Sequence, residues 1–423
     1  MSVKLKNCRV CGSSKFKTVI NLGYQYLQGQ FSHKGINNKG LQKKFLTKLV
    51  RCDQKVNKNA CGLVQLSITV PKNYLYRNYF YRSSINQTMK THLKNLHTEI
   101  MKINKEKRFS ILDIGCNDGT FLNFFKKKII QYGIDPSNSM KKNNFKNINF
   151  FKDYFPSRNF LKSLGTKKFN VITSIAMFYD LDNPILFAKK IEYLLKESGI
   201  WIFELSYMPH MLKLNSYDTI CHEHLEYYSL SVIEKILLES NLKLAKVSFN
   251  KSNGASIRCY VVKKNNFKFD NKKNKKFLQL IRIRELNLKL DTDQPFKKFR
   301  QNCLKNRAQL RKLIINLKNK KKIIHLYGAS TKGNTILQWC KLNHKLIKFA
   351  SERNPLKFGS KTLGSNIKII SEEDSRKMKP DYYLVMPWHF KNEIIAREQN
   401  FLKKGGKIIF PLPKVQTLQL NKN

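Results

Sequence analysis

The chain has 423 residues, 81 of them Lys or Arg against 28 Asp or Glu, and a formal charge of +53; 41% of it is apolar, with 28 Phe and 18 Tyr. This content predicts two or three domains with cores of their own and excludes a disordered chain, while the Lys surplus, spread with Asn and Ile and lacking an arginine-rich arm or aromatic recognition motif, predicts no specific nucleic-acid partner. No apolar run reaches the ~20 residues of a membrane-spanning helix, and Met1-Ser2-Val3-Lys4-Leu5-Lys6 leads into cysteines and polar residues instead of a signal-peptide core, so a cytoplasmic protein with no membrane partner is expected.

The first compact element is metal-like. Cys8-Arg9-Val10-Cys11-Gly12 forms a tight knuckle, and Cys52 and Cys61 return after a long excursion. Four thiols can complete a tetrahedral zinc site, a structural one because four thiolates leave no open position for a substrate. The later pair is separated by Asp53 to Ala60, more than the usual spacing, and cysteines packed as small hydrophobes are the alternative. Around them, Asn21-Leu22-Gly23-Tyr24-Gln25, Phe31 and Cys61-Gly62-Leu63-Val64-Gln65-Leu66 resemble the N-terminal zinc-binding domain of a sugar C-methyltransferase family. Residues 1–70 are expected to form that domain, with Cys8, Cys11, Cys52 and Cys61 as ligands. A loop before Cys61 is tolerable, since closure entropy grows slowly with length.

Residues 71–262 are expected to form a second domain, entered by Asn78-Tyr79-Phe80-Tyr81-Arg82-Ser83-Ser84 and an apolar-periodic stretch to Ile103: a tyrosine-rich loop feeding a long helix. Such tyrosines serve as core or lid residues; the resemblance implies a loop that closes over substrate and contributes a catalytic tyrosine, Tyr79 or Tyr81. Next, Ile111-Leu112-Asp113-Ile114-Gly115-Cys116-Asn117-Asp118-Gly119-Thr120 predicts a buried parallel strand, a Gly-rich turn and the start of a helix. There is no third glycine as in the dinucleotide fingerprint and no Lys-Ser/Thr ending as in a phosphate loop, and a purely structural turn is the alternative. Tyr132-Gly133-Ile134-Asp135-Pro136 reads as the following strand, ending in an acidic residue placed to accept hydrogen bonds from a ribose diol. Together these segments resemble the S-adenosylmethionine site of a class I methyltransferase, which implies cofactor contacts at Asp113, Gly115, Asn117, Gly119 and Asp135, with Asp153 on the adenine side.

Strands are expected at Ile148 to Asp153, Phe169 to Ser174 and Gly199 to Glu204, with a helix from Ile185 to Leu195, which completes a doubly wound sheet. Tyr217 to Leu230 then packs His222, Glu223, His224 and Glu226 among aliphatic positions. Such density is costly unless the groups are exposed or paired, and a His–carboxylate pair is a proton-transfer unit; a structural polar cluster is the alternative, and the two histidines lack the i,i+4 spacing of a helical zinc site. Asp218-Thr219-Ile220-Cys221-His222-Glu223-His224 resembles the signature of the same sugar C-methyltransferase family. The resemblance implies Glu223 and His224 as the acid–base pair, and His222 and Tyr179 as substrate contacts. Cys221 stands where better-known members have tyrosine, and Tyr179 where they have histidine.

Asn253-Gly254-Ala255-Ser256 predicts the turn of a last hairpin, residues 263–317 a helical connector broken near Pro295, and residues 318–423 a further α/β domain. Gly328-Ala329-Ser330-Thr331-Lys332-Gly333-Asn334-Thr335 and Arg353-Asn354-Pro355 resemble the C-terminal domain of the family, with Glu352 where aspartate is more usual. This implies Lys332 and Asn334 as phosphate or sugar contacts, a structural role being the alternative. The expectation is thus a multidomain α/β protein: a zinc-bearing N-terminal element, a central class I methyltransferase sheet and a C-terminal Rossmann-like domain. Its expected activity is S-adenosylmethionine-dependent C-methylation of a nucleotide-linked keto-deoxysugar, against O- or N-methylation or a non-enzymatic sugar-nucleotide-binding protein. A homo-oligomer is compatible with the sequence.

Overall fold

Strand Ser110–Ile114 is buried at all five positions, as expected of a parallel strand covered on both faces. In the computed structural model, which describes residues 2–32, 43–56, 59–76, 82–104, 106–139, 147–250, 254–267 and 269–420, this strand is central to a seven-stranded sheet. The order across the sheet is Leu242–Asn250, Ser256–Lys263, Leu195–Ser206, Phe169–Ile175, Ser110–Ile114, Ile130–Ile134, Ile148–Phe151. The last five of these are parallel, and the hairpin Leu242–Asn250/Ser256–Lys263 adds antiparallel to the edge. Helix Gln87–Ile103 covers one face through Leu93, Leu96 and Ile100; Arg158–Leu164, Pro184–Leu194 and Leu230–Leu238 cover the other. The chain leaves Ser110–Ile114 toward one edge and returns to its other side at Phe169–Ile175, so their C-terminal ends open a crevice at a topological switch point.

One element differs from expectation. After Gly119 the chain makes only the 3₁₀ turn Leu122–Phe124 and not a full helix. Phe121, Leu122 and Phe125 are buried as the apolar pattern requires, but the next strand already begins at Ile130, which leaves room for no further turn.

The N-terminal and C-terminal sheets each take an edge strand from a distant part of the chain. The N-terminal sheet runs Glu226–Tyr227, Val64–Leu66, Lys44–Cys52, Phe16–Tyr26, so its edge strand comes from the segment that follows the His-Glu-His cluster. In return, Phe31–Ser32 pairs with Lys361–Thr362 at the edge of the C-terminal sheet. That sheet has parallel strands Lys407–Phe410, Tyr382–Val385, Ile324–Tyr327, Phe349–Glu352 and Lys368–Ser371 in this order. It has its own switch point between Tyr382–Val385 and Ile324–Tyr327.

Helices Lys272–Asn287 and Gln294–Asn319 form the connector. Pro295 does not break it but sits in the first turn of the second helix, where its missing N–H would have had no partner; the break precedes it, with Lys289 at φ +52°.

Candidate functional site

The four cysteines converge. Cys8 Sγ lies 3.5 Å from Cys61 Sγ and Cys11 Sγ 3.3 Å from Cys52 Sγ, with all four sulfurs within 4.8 Å of one another. A tetrahedron of ~2.3 Å zinc–sulfur bonds has edges of about 3.8 Å, so the donor set fits zinc without rearrangement. Cys52 N–H donates to Leu63 O at 2.9 Å, which brings the two ends of the Cys52–Cys61 insertion together.

The two switch points face a single cavity of about 520 Å³. On the central-sheet side its wall includes Asp113, Gly115, Cys116, Asn117, Asp135 and Asp153. Gly115 has φ +76°, and a side chain there would meet Met177 Cγ at 3.0 Å, so backbone approaches the cavity where only glycine fits. Asp113 accepts from Thr173 Oγ1 at 2.7 Å. Burial pushes its carboxyl up to about 7, with the Thr173 hydrogen bond opposing and the Asp135 charge adding. A buried carboxyl of this kind on a cavity wall fits an incoming ammonium group. Asp135 accepts from Asn117 N at 2.9 Å and from Ser137 N and Oγ at 2.8 and 2.5 Å, which leaves acceptor capacity for a diol. Ser83 N donates to Asn117 Oδ1 at 3.0 Å and Ser84 N to Asp118 Oδ2 at 2.9 Å, so the segment before the Gln87–Ile103 helix ties down the turn. Gly119, at φ +76°, shapes that turn from behind and does not line the cavity.

The opposite wall carries Glu223, His224, Tyr179, Lys332, Arg353 and Lys357. His224 Nδ1 lies 2.9 Å from Thr219 O; a carbonyl only accepts, so Nδ1 carries the proton and Nε2 is the basic nitrogen. Burial and the nearby Lys332 charge lower the imidazole to about 4, with the Thr219 carbonyl opposing, so it is neutral at physiological pH. The Tyr179 ring packs edge-on at 4.4 Å between centroids, and its carbonyl accepts from Leu225 N and Glu226 N at 2.8 and 3.0 Å. Glu223 Oε1 accepts from Gly29 N at 3.0 Å, whereas Oε2 is buried with no hydrogen-bond partner among the described residues. Burial pushes this carboxyl up, with hydrogen bonds from the chain opposing. Glu223 and His224, expected as the acid–base pair, are each anchored to backbone, at Gly29 and at Thr219.

Two expected contacts lie elsewhere. His222 does not line the cavity: its Nε2 is 3.1 Å from Thr47 Oγ1 and 3.3 Å from Phe45 O, because the side chain points into the N-terminal sheet. Asn334 is likewise outside it, its Nδ2 donating to Gln28 O at 2.7 Å. Cys221 is fully buried and also away from the cavity, its thiol pushed well above the ordinary range by burial and the Glu223 charge. Tyr79 and Tyr81 lie outside the described residues. Sequence reasoning missed Asp180, Asp218 and His389. Asp180 lines the cavity, its carboxyl raised by burial and by the Glu223 and Glu226 charges; an acid directly after Tyr179 at a parallel strand's C-terminal end was the available signal. Asp218 accepts from Trp388 Nε1 at 2.8 Å, and His389 lines the cavity beside Lys332. The latter two come together only through tertiary contact.

Comparison with known proteins accounts for nearly the whole chain. A zinc binding domain family matches residues 8–76, a methyltransferase domain family residues 78–247, and the C-methyltransferase C-terminal domain family residues 251–413. Over 421 residues the chain is 25% identical to the C-methyltransferase NovU of Streptomyces niveus, covering 98% of this chain and 97% of that protein. Among solved structures, the plantazolicin methyltransferase BpumL in complex with SAH is 16% identical over 41% of this chain and 82% of its own, with a TM-score of 0.33. Magnesium protoporphyrin IX methyltransferase from Synechocystis PCC 6803 with bound SAH is 13% identical over 42% and 88%, also with a TM-score of 0.33. The matched domains, with the acidic cavity wall and the cluster of four cysteines, make S-adenosylmethionine the cofactor and zinc the structural ion of this enzyme. In domain order and in the site those domains build, the chain belongs to the family of S-adenosylmethionine-dependent methyltransferases that join an N-terminal zinc-binding domain to a C-terminal C-methyltransferase domain.

Proposed function

We propose that the protein methylates a carbon atom beside the carbonyl of a nucleotide-linked keto-deoxysugar. The observation that carries the reading is His224, a neutral imidazole on the cavity wall with Nδ1 committed to Thr219 O and Nε2 left as base. Removing a proton alpha to a ketone needs such a base, whereas a sugar hydroxyl needs less help to act as a nucleophile. S-adenosylmethionine supplies the electrophilic methyl group, and Asp113, Gly115, Asn117, Asp135 and Asp153 form the wall that holds it. Lys332, Arg353 and Lys357, gathered at the C-terminal switch point, bind the anionic part of the substrate. His224 takes the alpha proton, Tyr179 fixes the plane of the imidazole, and Tyr79 or Tyr81 stabilises the enolate oxygen. Glu223 sets the charge beside the base. Similarity to a C-methyltransferase along almost the full chain supports the reaction class.

The test combines labelled S-adenosylmethionine with a panel of nucleotide ketosugars and assigns the methylated atom by NMR. His224→Gln is expected to keep cofactor binding and lower turnover by ~10²–10⁴-fold, the range for a positioned acid–base group. A methyl group found on oxygen or nitrogen, with turnover of the variant nearly unchanged, overturns the proposal.

A further inference from the structure

Residues Leu27 to Gln30 form a turn of the zinc-binding domain in which every residue is buried. It is held by hydrogen bonds from all parts of the molecule. His222 N donates to Gln28 Oε1 at 3.2 Å, Asn334 Nδ2 to Gln28 O at 2.7 Å, and Gln30 Nε2 to Leu75 O at 3.1 Å. Gln28 Nε2 donates to Gln25 Oε1 at 2.8 Å within the turn's own domain. Gly29 is the point of this turn that reaches the cavity, beside Glu223 and Thr331. Its N–H meets Glu223 Oε1 at 3.0 Å, and a Cβ built on it would stand 2.2 Å from that same oxygen. Of the three atoms nearest to that Cβ, two belong to the Glu223 side chain and the third is Thr331 Oγ1, at an ordinary 3.5 Å.

We propose that Gly29 is a positioning residue for the methyl-transfer site: its amide fixes one oxygen of Glu223, and its missing side chain leaves the space in which the carboxylate stands. The proposal rests on the reading of Glu223 as part of the transfer machinery. The zinc-binding domain thereby acts on the chemistry directly, although no cysteine of it touches the cavity. With the turn held by bonds from several elements and the Glu223 carboxylate at the end of a flexible side chain, an added methyl group at position 29 displaces the carboxylate and not the backbone.

Four proteins test this: wild type, Gly29→Ala, Glu223→Gln and the double variant. Gly29→Ala is expected to retain zinc content, thermal stability within a few degrees and S-adenosylhomocysteine affinity. Its kcat on nucleotide ketosugars accepted by the wild type should fall about 10–100-fold, the scale for an ångström-sized misplacement, with a smaller change in KM. In the Glu223→Gln background the same substitution should lower kcat no further, because its only target is then already changed. A readout that needs no substrate accompanies this: the infrared band of the protonated Glu223 carboxyl, identified by its loss in Glu223→Gln, should titrate at higher pH in Gly29→Ala, where the amide hydrogen bond is disturbed. Wild-type kcat and an unmoved carboxyl band in Gly29→Ala overturn the proposal while leaving the function intact. An equal loss on both backgrounds overturns it as a general structural effect. Full activity in Glu223→Gln removes Glu223 from the machinery and overturns the proposal, while the methyl transfer that rests on His224 stands.

Discussion

At the floor of the cofactor wall, Asp113 carries a carboxyl that burial raises to about 7, so near neutrality it is only partly ionised before a ligand arrives. An ammonium group placed against it favours the charged form, and binding then releases a proton. The sign follows: above about 7 Asp113 is already ionised and affinity is flat, and below it each ligand must displace a proton, so affinity falls as pH falls. We expect S-adenosylhomocysteine affinity to drop about tenfold from pH 7.5 to 5.5, and Asp113→Asn to bind more weakly but without this dependence. Calorimetry in two buffers of different ionisation enthalpy checks both the affinity and the proton release. Affinity independent of pH over this range contradicts the assignment of Asp113 to the ligand's amino group.

At the scale of elements, the zinc site and the His222-Glu223-His224 segment are joined by hydrogen-bonded strands. Cys52 ends the strand Lys44–Cys52, whose Phe45 carbonyl and Thr47 hydroxyl hold His222, and the neighbouring Val64–Leu66 pairs with Glu226–Tyr227. The cofactor wall belongs to the separate central sheet. Loss of zinc through Cys52→Ser or a strong chelator should therefore lower kcat about 10–100-fold while S-adenosylhomocysteine affinity changes little. Steady-state kinetics beside zinc analysis and ligand titration is the check, and a zinc-free protein with full kcat contradicts it. The same distinction explains what could be read in advance. The strand ending in Asp113, the Gly115 turn and Asp135 were legible because a run of branched residues, a glycine and an acid are local signals for a parallel strand end. The turning of His222 into the N-terminal sheet, the tie of Asn334 to Gln28 and the approach of Gly29 to Glu223 were not. Each depends on pairing between segments far apart in the chain, for which periodicity carries no information.

For the molecule as a whole, a formal charge of +53 sets a background against which every contact acts. Ion pairs such as Arg51–Asp293 at 2.8 Å and Arg258–Glu204 at 2.9 Å engage the acidic residues, but most Lys and Arg have no acidic counterpart to meet. Repulsion among them is long-ranged at low salt, where the Debye length is ~30 Å at 0.01 M, and is screened to ~3 Å at 1 M. Salt is therefore expected to raise thermal stability, by about 2–4 °C in Tm for each kcal/mol of repulsion removed. Melts in sodium chloride from low to high concentration measure it; a Tm that falls with salt places the balance with the attractive pairs instead.

The shared strand Glu226–Tyr227 also has a consequence for how the chain is made. The zinc-binding domain leaves the ribosome with three of its four sheet strands, and the outer edge of Val64–Leu66 stays unpaired until Tyr227 has been synthesised. At ordinary elongation rates that interval is on the order of ten seconds or more. Through it, the hydrogen-bonding edge of Val64–Leu66 stands open to water and to neighbouring nascent chains. The order of genetic segments thus makes the metal-bearing head wait for the segment that follows His224, and newly made protein is most exposed to mispairing between these two events.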